Sequence, residues 1–201
     1  MIYTYVVDAF TTSNPFSGNP AGVCLLDEWK STQWMQQIAA ELKHSETAFI
    51  IQDHTSISIR YFTPTIEVPL CGHATLAAAS VLWQEKLVST DLTLTFNAQG
   101  GVLKAKYNAS SIQLDFPATA FTPYTTPYPD FINTLSIHPE SIYTSEHDII
   151  FILDNEMAVI NYNPYFLTMQ HLPYRFIAIS ASSKDPDIDF VSRVFAPSAG
   201  I

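Results

Sequence analysis

The sequence predicts an α+β fold in which a mostly antiparallel sheet curls around one buried helix. Three observations predict it. Many short segments are rich in Val, Ile, Tyr, Phe and Thr, and several of them alternate; one helical stretch is free of charge all round; and a proline-rich segment divides the chain.

The strand segments begin with Ile2 to Ala9. Ala21 to Leu26 follows a Gly18-Asn19-Pro20 turn. Thr47 to Ile51, Ser56 to Phe62, Leu92 to Phe96, Val102 to Tyr107 and Ile112 to Phe116 complete the first half. Ile57, Ile59 and Tyr61 share one face of their segment, and Ser56, Ser58 and Arg60 share the other. In the second half, strands are expected at Ser141 to Thr144, Ile149 to Leu153, Met157 to Ile160, Phe176 to Ser180 and Phe190 to Phe195. Short helices are expected at Asp130 to Leu135 and Pro164 to Gln170.

Two longer helices differ in kind. The first starts near Ser31 or Thr32. Trp34, Ile38 and Leu42 repeat along it, Met35 and Ala39 lie beside them, and Lys30, Gln36, Gln37, Glu41 and Lys43 fall elsewhere, which describes an amphipathic surface helix. The second, His73 to Gln84, contains no Asp, Glu, Lys or Arg. A helix that is apolar or small on every side must be surrounded by protein, and its alanines let strands approach closely.

Pro117, Pro123, Pro127 and Pro129 punctuate the segment after the first half. Proline removes ladder donors and fixes φ, so this segment reads as a linker. It separates residues 1–118, with the central helix 73–84, from residues 119–201. Arg60-Tyr61-Phe62-Thr63-Pro64 closes one strand, and Arg193-Val194-Phe195-Ala196-Pro197 closes another across the linker. If the halves are duplicates, a second central helix would begin beyond Ile201. The second domain is therefore expected to be incomplete, with an apolar sheet face open to solvent.

Composition excludes several classes. The chain has 201 residues, 47% of them hydrophobic, and a formal net charge of −10 with nine Lys and Arg. No cationic cluster is present to replace phosphate counterions, so no nucleic-acid partner is expected. Two cysteines make no disulfide framework. The N-terminus lacks the basic and apolar regions of a secretory signal, and no apolar run is long enough for a bilayer. A cytoplasmic protein without a membrane partner is the expectation.

Four stretches together resemble the PhzF-like family of phenazine biosynthesis. They are Val7-Asp8-Ala9-Phe10 with Phe16-Ser17-Gly18-Asn19-Pro20-Ala21-Gly22-Val23; Ser45-Glu46-Thr47-Ala48-Phe49; Arg60-Tyr61-Phe62-Thr63-Pro64 through Glu67 to Leu70-Cys71-Gly72-His73-Ala74-Thr75-Leu76-Ala77-Ala78-Ala79; and Phe195-Ala196-Pro197 with Gly200-Ile201. The resemblance implies a diaminopimelate epimerase-like fold of two similar domains, an active site in the cleft between them, a homodimer, and neither metal nor organic cofactor. It implies an isomerase that moves a proton on a small carboxylic acid. It also implies that the chain is the N-terminal two-thirds of a longer form. The family continues beyond this point into an Asp-Pro-x-Thr-Gly-Ser segment that supplies an active-site Asp and an anion contact, and into a second central helix.

The resemblance makes Glu46 the proton-transfer residue. Such a group must take and return a proton, and its place at the head of an apolar strand favours burial. Outside the resemblance, an exposed Glu at a turn is the ordinary reading. His73, just after Gly72 at a helix start, fits a site where free N–H groups and the helix dipole hold a substrate carboxylate; alone it reads as a capping histidine. The other histidines have no ligand spacing, and no metal is expected. Ser45 is a candidate to hold Glu46 or a substrate hydroxyl, or to make a local turn bond. Asn19 is a candidate substrate contact or simply a turn residue. Cys71 falls where diaminopimelate epimerase has the first of two acid/base thiols; otherwise it is a small buried hydrophobe. Two readings compete with the isomerase: an amino-acid epimerase or racemase using Cys71, and a catalytically inactive truncated remnant.

Overall fold

The structure is a computed structural model that describes residues 2–12, 17–109, 111–125 and 131–199. Phe16, Pro127, Pro129, Asp130, Gly200 and Ile201 lie outside them. In chain order the elements are β1 (Tyr3–Ala9), β2 (Asn19–Leu25), α1 (Thr32–Leu42), β3 (Glu46–Asp53), β4 (Ser56–Phe62), β5 (Glu67–Val68), α2 (Gly72–Gln84), β6 (Leu94–Ala98), β7 (Gly101–Asn108) and β8 (Ser111–Asp115). After the linker come β9 (Thr122–Pro123), α3 (Phe131–Leu135), β10 (Ser141–Thr144), β11 (Asp148–Ile152), α4 (Glu156–Asn161), α5 (Phe166–Met169), β12 (Phe176–Ser182) and β13 (Phe190–Phe195). The chain forms two compact units, Met1–Pro117 and Ala118–Ile201.

In the first unit, eight strands form one sheet in the order β1-β2-β3-β4-β6-β7-β8, with β5 paired to β4. The pairings β2/β3 and β4/β6 are parallel and the rest antiparallel. Helix α2 packs against β1, β2, β3 and β8. Ala74, Ala77, Ala78, Ala79 and Leu82 have no exposed surface. The absence of charge along this helix is thus explained over most of its surface, which meets protein, where an unpaired charge would be costly; only the line Gly72, Leu76, Ser80 and Gln84 is partly open. Around it lie Ala48, Ile50, Ile57, Ile59, Tyr61, Leu94, Phe96 and Leu103.

Helix α1 covers the other face of β3 and β4. Ser31 caps it, its Oγ accepting from the N–H of Trp34 at 3.2 Å. The buried line along α1 is Met35 and Ala39, packed with Cys24, Leu26, Phe49 and Phe62; Trp34 and Ile38, expected at the centre of the stripe, lie at its margin. The αL residue Lys43 (φ 58°) ends the helix, its N–H bonding to the carbonyl of Ala39. Gly22 is required where α1 returns to the sheet, because a Cβ there would stand 2.8 Å from Thr47 Oγ1 and 2.9 Å from Leu42 Cδ1.

The second unit is a five-stranded sheet, β13-β12-β11-β10-β9. Ile142, Ile149, Phe151, Ile177 and Ile179 face a core shared with Ile132, Leu135, Val159 and Met169 from the short helices. On the opposite face Phe190 and Val194 are exposed. The expected strand at Met157 to Ile160 is instead α4. Asn155 caps it, Oδ1 accepting from the N–H of Ala158 at 3.0 Å, and this cap decides an apolar run too short for periodicity to settle.

The repeated Arg-x-Phe motif has a shared geometry. The Arg60 guanidinium lies 5.2 Å from the Phe62 ring centroid, and that of Arg193 lies 5.2 Å from the Phe195 centroid. Their hydrogen bonds differ. Arg60 grips both carboxylate oxygens of Glu67 at 2.7 and 2.6 Å and Thr32 Oγ1 at 2.9 Å. Arg193 Nη1 donates to the carbonyls of Val159, Ile160 and Tyr162, where α4 ends. Arg60→Ala is expected to cost about 1–2 kcal/mol, the yield of a bidentate charged pair reduced by its partial exposure, checked by denaturant unfolding of the variant against the parent.

Candidate active site

The site residues gather at one end of the first unit. Strands β2 and β3 run parallel with Ala21 opposite Glu46, so Asn19 and Glu46 begin adjacent strands. Gly18 takes φ +126°, a conformation that L side chains rarely adopt, and a Cβ there would meet the Ala9 carbonyl at 2.9 Å. That glycine turns the chain into β2 and sets Asn19 at the strand's start. Period two along β3 places Glu46 on the face of Ala48 and Ile50, toward α2, while Thr47 contacts Gly22 on the α1 side. Helix α2 begins at the same end, with Cys71 as its N-cap residue and Gly72 and His73 in its first turn.

The side chains meet in a connected set. His73 Nε2 lies 3.4 Å from Glu46 Oε2, with side chains only 9% and 12% exposed. The same nitrogen is 3.2 Å from Ser45 Oγ, and Ser45 donates to Asn19 Oδ1 at 3.4 Å. The other ring nitrogen, Nδ1, is 3.3 Å from Cys71 Sγ. Ser45 therefore bonds His73 and Asn19 rather than Glu46.

A second layer supports the helix start. Tyr61 Oη and Thr75 Oγ1 are 2.6 Å apart, and Thr75 Oγ1 donates to the Cys71 carbonyl at 2.6 Å. Neither Tyr61 nor Thr75 is exposed. Sequence reasoning placed Tyr61 on one face with Ile57 and Ile59 without seeing this link; the signal was the four-residue step from Cys71 to Thr75, at which a helical hydroxyl reaches back to a carbonyl. The Phe116 ring covers Gly72, 2.9 Å from where a Cβ would stand, which gives the helix start an apolar wall.

Burial sets the protonation of the imidazole and the thiol. It lowers the pKa of His73, with the Glu46 carboxylate and the Pro20 carbonyl pulling the other way. It pushes the Cys71 thiol far up, and the nearby Glu46 carboxylate pushes it further; the backbone N–H groups of Ala74 and His73 offset part of this. A histidine held neutral on folding costs stability as pH falls. Below about 6.5 the unfolded chain takes the proton first, so stability declines until the folded ring also charges. Chemical unfolding as a function of pH is expected to show this loss in the parent and a shallower slope in His73→Gln.

Glu46, Cys71 and His73 offer one ligand atom each within 4.8 Å of one another. One ring nitrogen, the thiol and the carboxyl could close on one ion only if the thiol gave up its proton, which burial and Glu46 oppose.

The chain matches the family model described as phenazine biosynthesis-like protein over residues 7–201. The chain belongs to the PhzC/PhzF phenazine biosynthesis-like family. An uncharacterised isomerase of Halalkalibacterium halodurans is 38% identical over 198 residues, covering 98% of this chain and 74% of that protein. A phenazine biosynthesis PhzC/PhzF crystal structure from Clostridium difficile superposes with a TM-score of 0.81 at 36% identity, covering 98% of this PhzF-like chain and 74% of the other. A hydroxyproline epimerase from Agrobacterium vitis shares the fold at a TM-score of 0.56 and 8% identity, over 89% of this chain and 67% of that one. The architecture is thus the α+β, diaminopimelate epimerase-like fold, and at family level the chain is a PhzF-like isomerase. It spans about three-quarters of the length of these two family relatives, more than two-thirds. Among the described residues no helix is long and apolar enough to cross a membrane.

Proposed function

We propose that this chain carries the acid/base half of a cofactor-independent isomerase that moves a proton on a small carboxylic acid. The observation that supports it is the Glu46 carboxyl, 12% exposed and 3.4 Å from His73 at the start of a charge-free helix. Glu46 takes hydrogen from one substrate carbon as the C–H bond breaks, and returns it to another. His73 and Ser45 hold a substrate oxygen with Asn19 beside them, and the first-turn N–H groups at Gly72 and His73 attract the substrate carboxylate. Local dipoles and donors, rather than net charge, let an acidic protein bind an acid. The homodimer belongs to this reading.

The competing epimerase reading gains from the closeness of Cys71 and Glu46. It loses because burial and Glu46 disfavour the thiolate such chemistry needs. An inactive remnant would bind ligands without turnover.

The test is a panel of small unsaturated carboxylic acids, each given to dialysed, chelator-treated protein and followed by NMR. Isomerisation of one of them without additions is expected. A requirement for added metal or organic cofactor overturns cofactor independence, and binding without turnover favours the remnant.

A further inference from the structure

Cys71 is the one titratable group of the cluster that the proposed proton transfer leaves without a task. It is 7% exposed. Its sulfur stands 3.3 Å from Nδ1 of His73, and the Glu46 carboxylate and the backbone N–H groups of Ala74 and His73 also lie within its reach.

We infer that Cys71 is a positioning residue: its S–H donates to Nδ1 and thereby holds His73 as the neutral tautomer with its proton on Nε2. A neutral imidazole has one donor and one acceptor nitrogen, and the partner of one decides the state of the other. With the proton on Nε2, the ring donates toward Glu46 Oε2 and Ser45 Oγ, and the Ser45 hydroxyl is free to donate onward to Asn19 Oδ1. The opposite tautomer points a lone pair at the Glu46 carboxylate. It also wastes the thiol proton, which burial keeps on sulfur.

Every bond in the array then runs in one direction, from the thiol through the ring to Ser45 and Asn19. The inference deepens the isomerase reading. It makes His73 a fixed donor to a substrate oxygen at Nε2 and leaves Glu46 as the group that accepts a proton from carbon.

The test is two-bond ¹H–¹⁵N correlation NMR on the 201-residue chain labelled at histidine, recorded above pH 6.5. His73→Gln assigns the signal among the six histidines. The expected result is the Nε2–H pattern in the parent, a mixture of tautomers in Cys71→Ala, and the parent pattern restored in Cys71→Ser, whose hydroxyl donates as the thiol does. An Nδ1–H pattern in the parent overturns the inference without any variant having to fold. An unchanged tautomer in a folded Cys71→Ala, or a Ser variant that behaves like the Ala variant, overturns it too. The readout needs no turnover. The tautomer can therefore be right while the isomerase reading fails on Glu46→Gln, or wrong while that reading stands.

Discussion

Glu46→Gln is expected to lower turnover by about 10³-fold, toward the upper end of what a positioned acid/base residue contributes, while ligand binding is unchanged. The reason is geometric. Glutamine keeps the length and shape of the side chain, and its carbonyl oxygen still accepts from His73 Nε2, 3.4 Å away in the parent. What it loses is the capacity to take a proton from carbon. Glu46→Asp should fall between the two, because it keeps the carboxyl but withdraws it by one methylene from a site tuned to short distances. Calorimetric titration beside progress curves separates the effects: a binding defect as large as the rate defect would make Glu46 an anchor for the substrate and not its acid/base residue.

The second large effect concerns the helix. Ala78→Glu should prevent the first unit from folding, whereas Gln84→Glu on the same helix should change stability by no more than about 0.5 kcal/mol. Ala78 has no exposed surface and Gln84 is exposed. The same side chain is introduced twice, so helix propensity cancels to first order and burial remains. A carboxyl at position 78 would be desolvated among Ala48, Tyr61 and Leu82 with no cationic partner among the surrounding core residues, a change expected to exceed about 4 kcal/mol. Circular dichroism and thermal unfolding distinguish the two. A folded Ala78→Glu protein of parental stability would mean that α2 is not enclosed as described.

The core of the first unit was legible because its strongest signals are local. A dozen residues without charge announce a surrounded helix, and the alternation of Ile57, Ile59 and Tyr61 identifies the strand face that meets it. The site was legible only in part. Resemblance pointed to Glu46, His73, Gly72, Ser45, Asn19 and Cys71, but their roles are proposals, and their wiring depends on register. The apolar run after Glu46 hides the period-two rule that sends Glu46 toward α2 and Thr47 toward α1, and only the parallel pairing of β2 with β3 sets Ser45 against Asn19. Local capping decided the errors. Asn155 turns Met157 to Ile160 into a helix, a run whose length and β-branched residues favoured a strand. In α1 the stripe was assigned correctly but centred one residue early: Met35 and Ala39 take the buried line, and Trp34 and Ile38 lie at its margin.

The central claim, that a half-hidden carboxyl carries hydrogen between carbons, is tested most directly by mass spectrometry of product formed in heavy water. With a substrate from the acid panel, and with the carboxyl exchanging its proton with solvent before delivering it, the parent protein should place solvent deuterium at a single carbon of the product, and the Glu46→Gln variant should yield no labelled product over the same interval. Labelling by the variant at the parental rate would contradict the account.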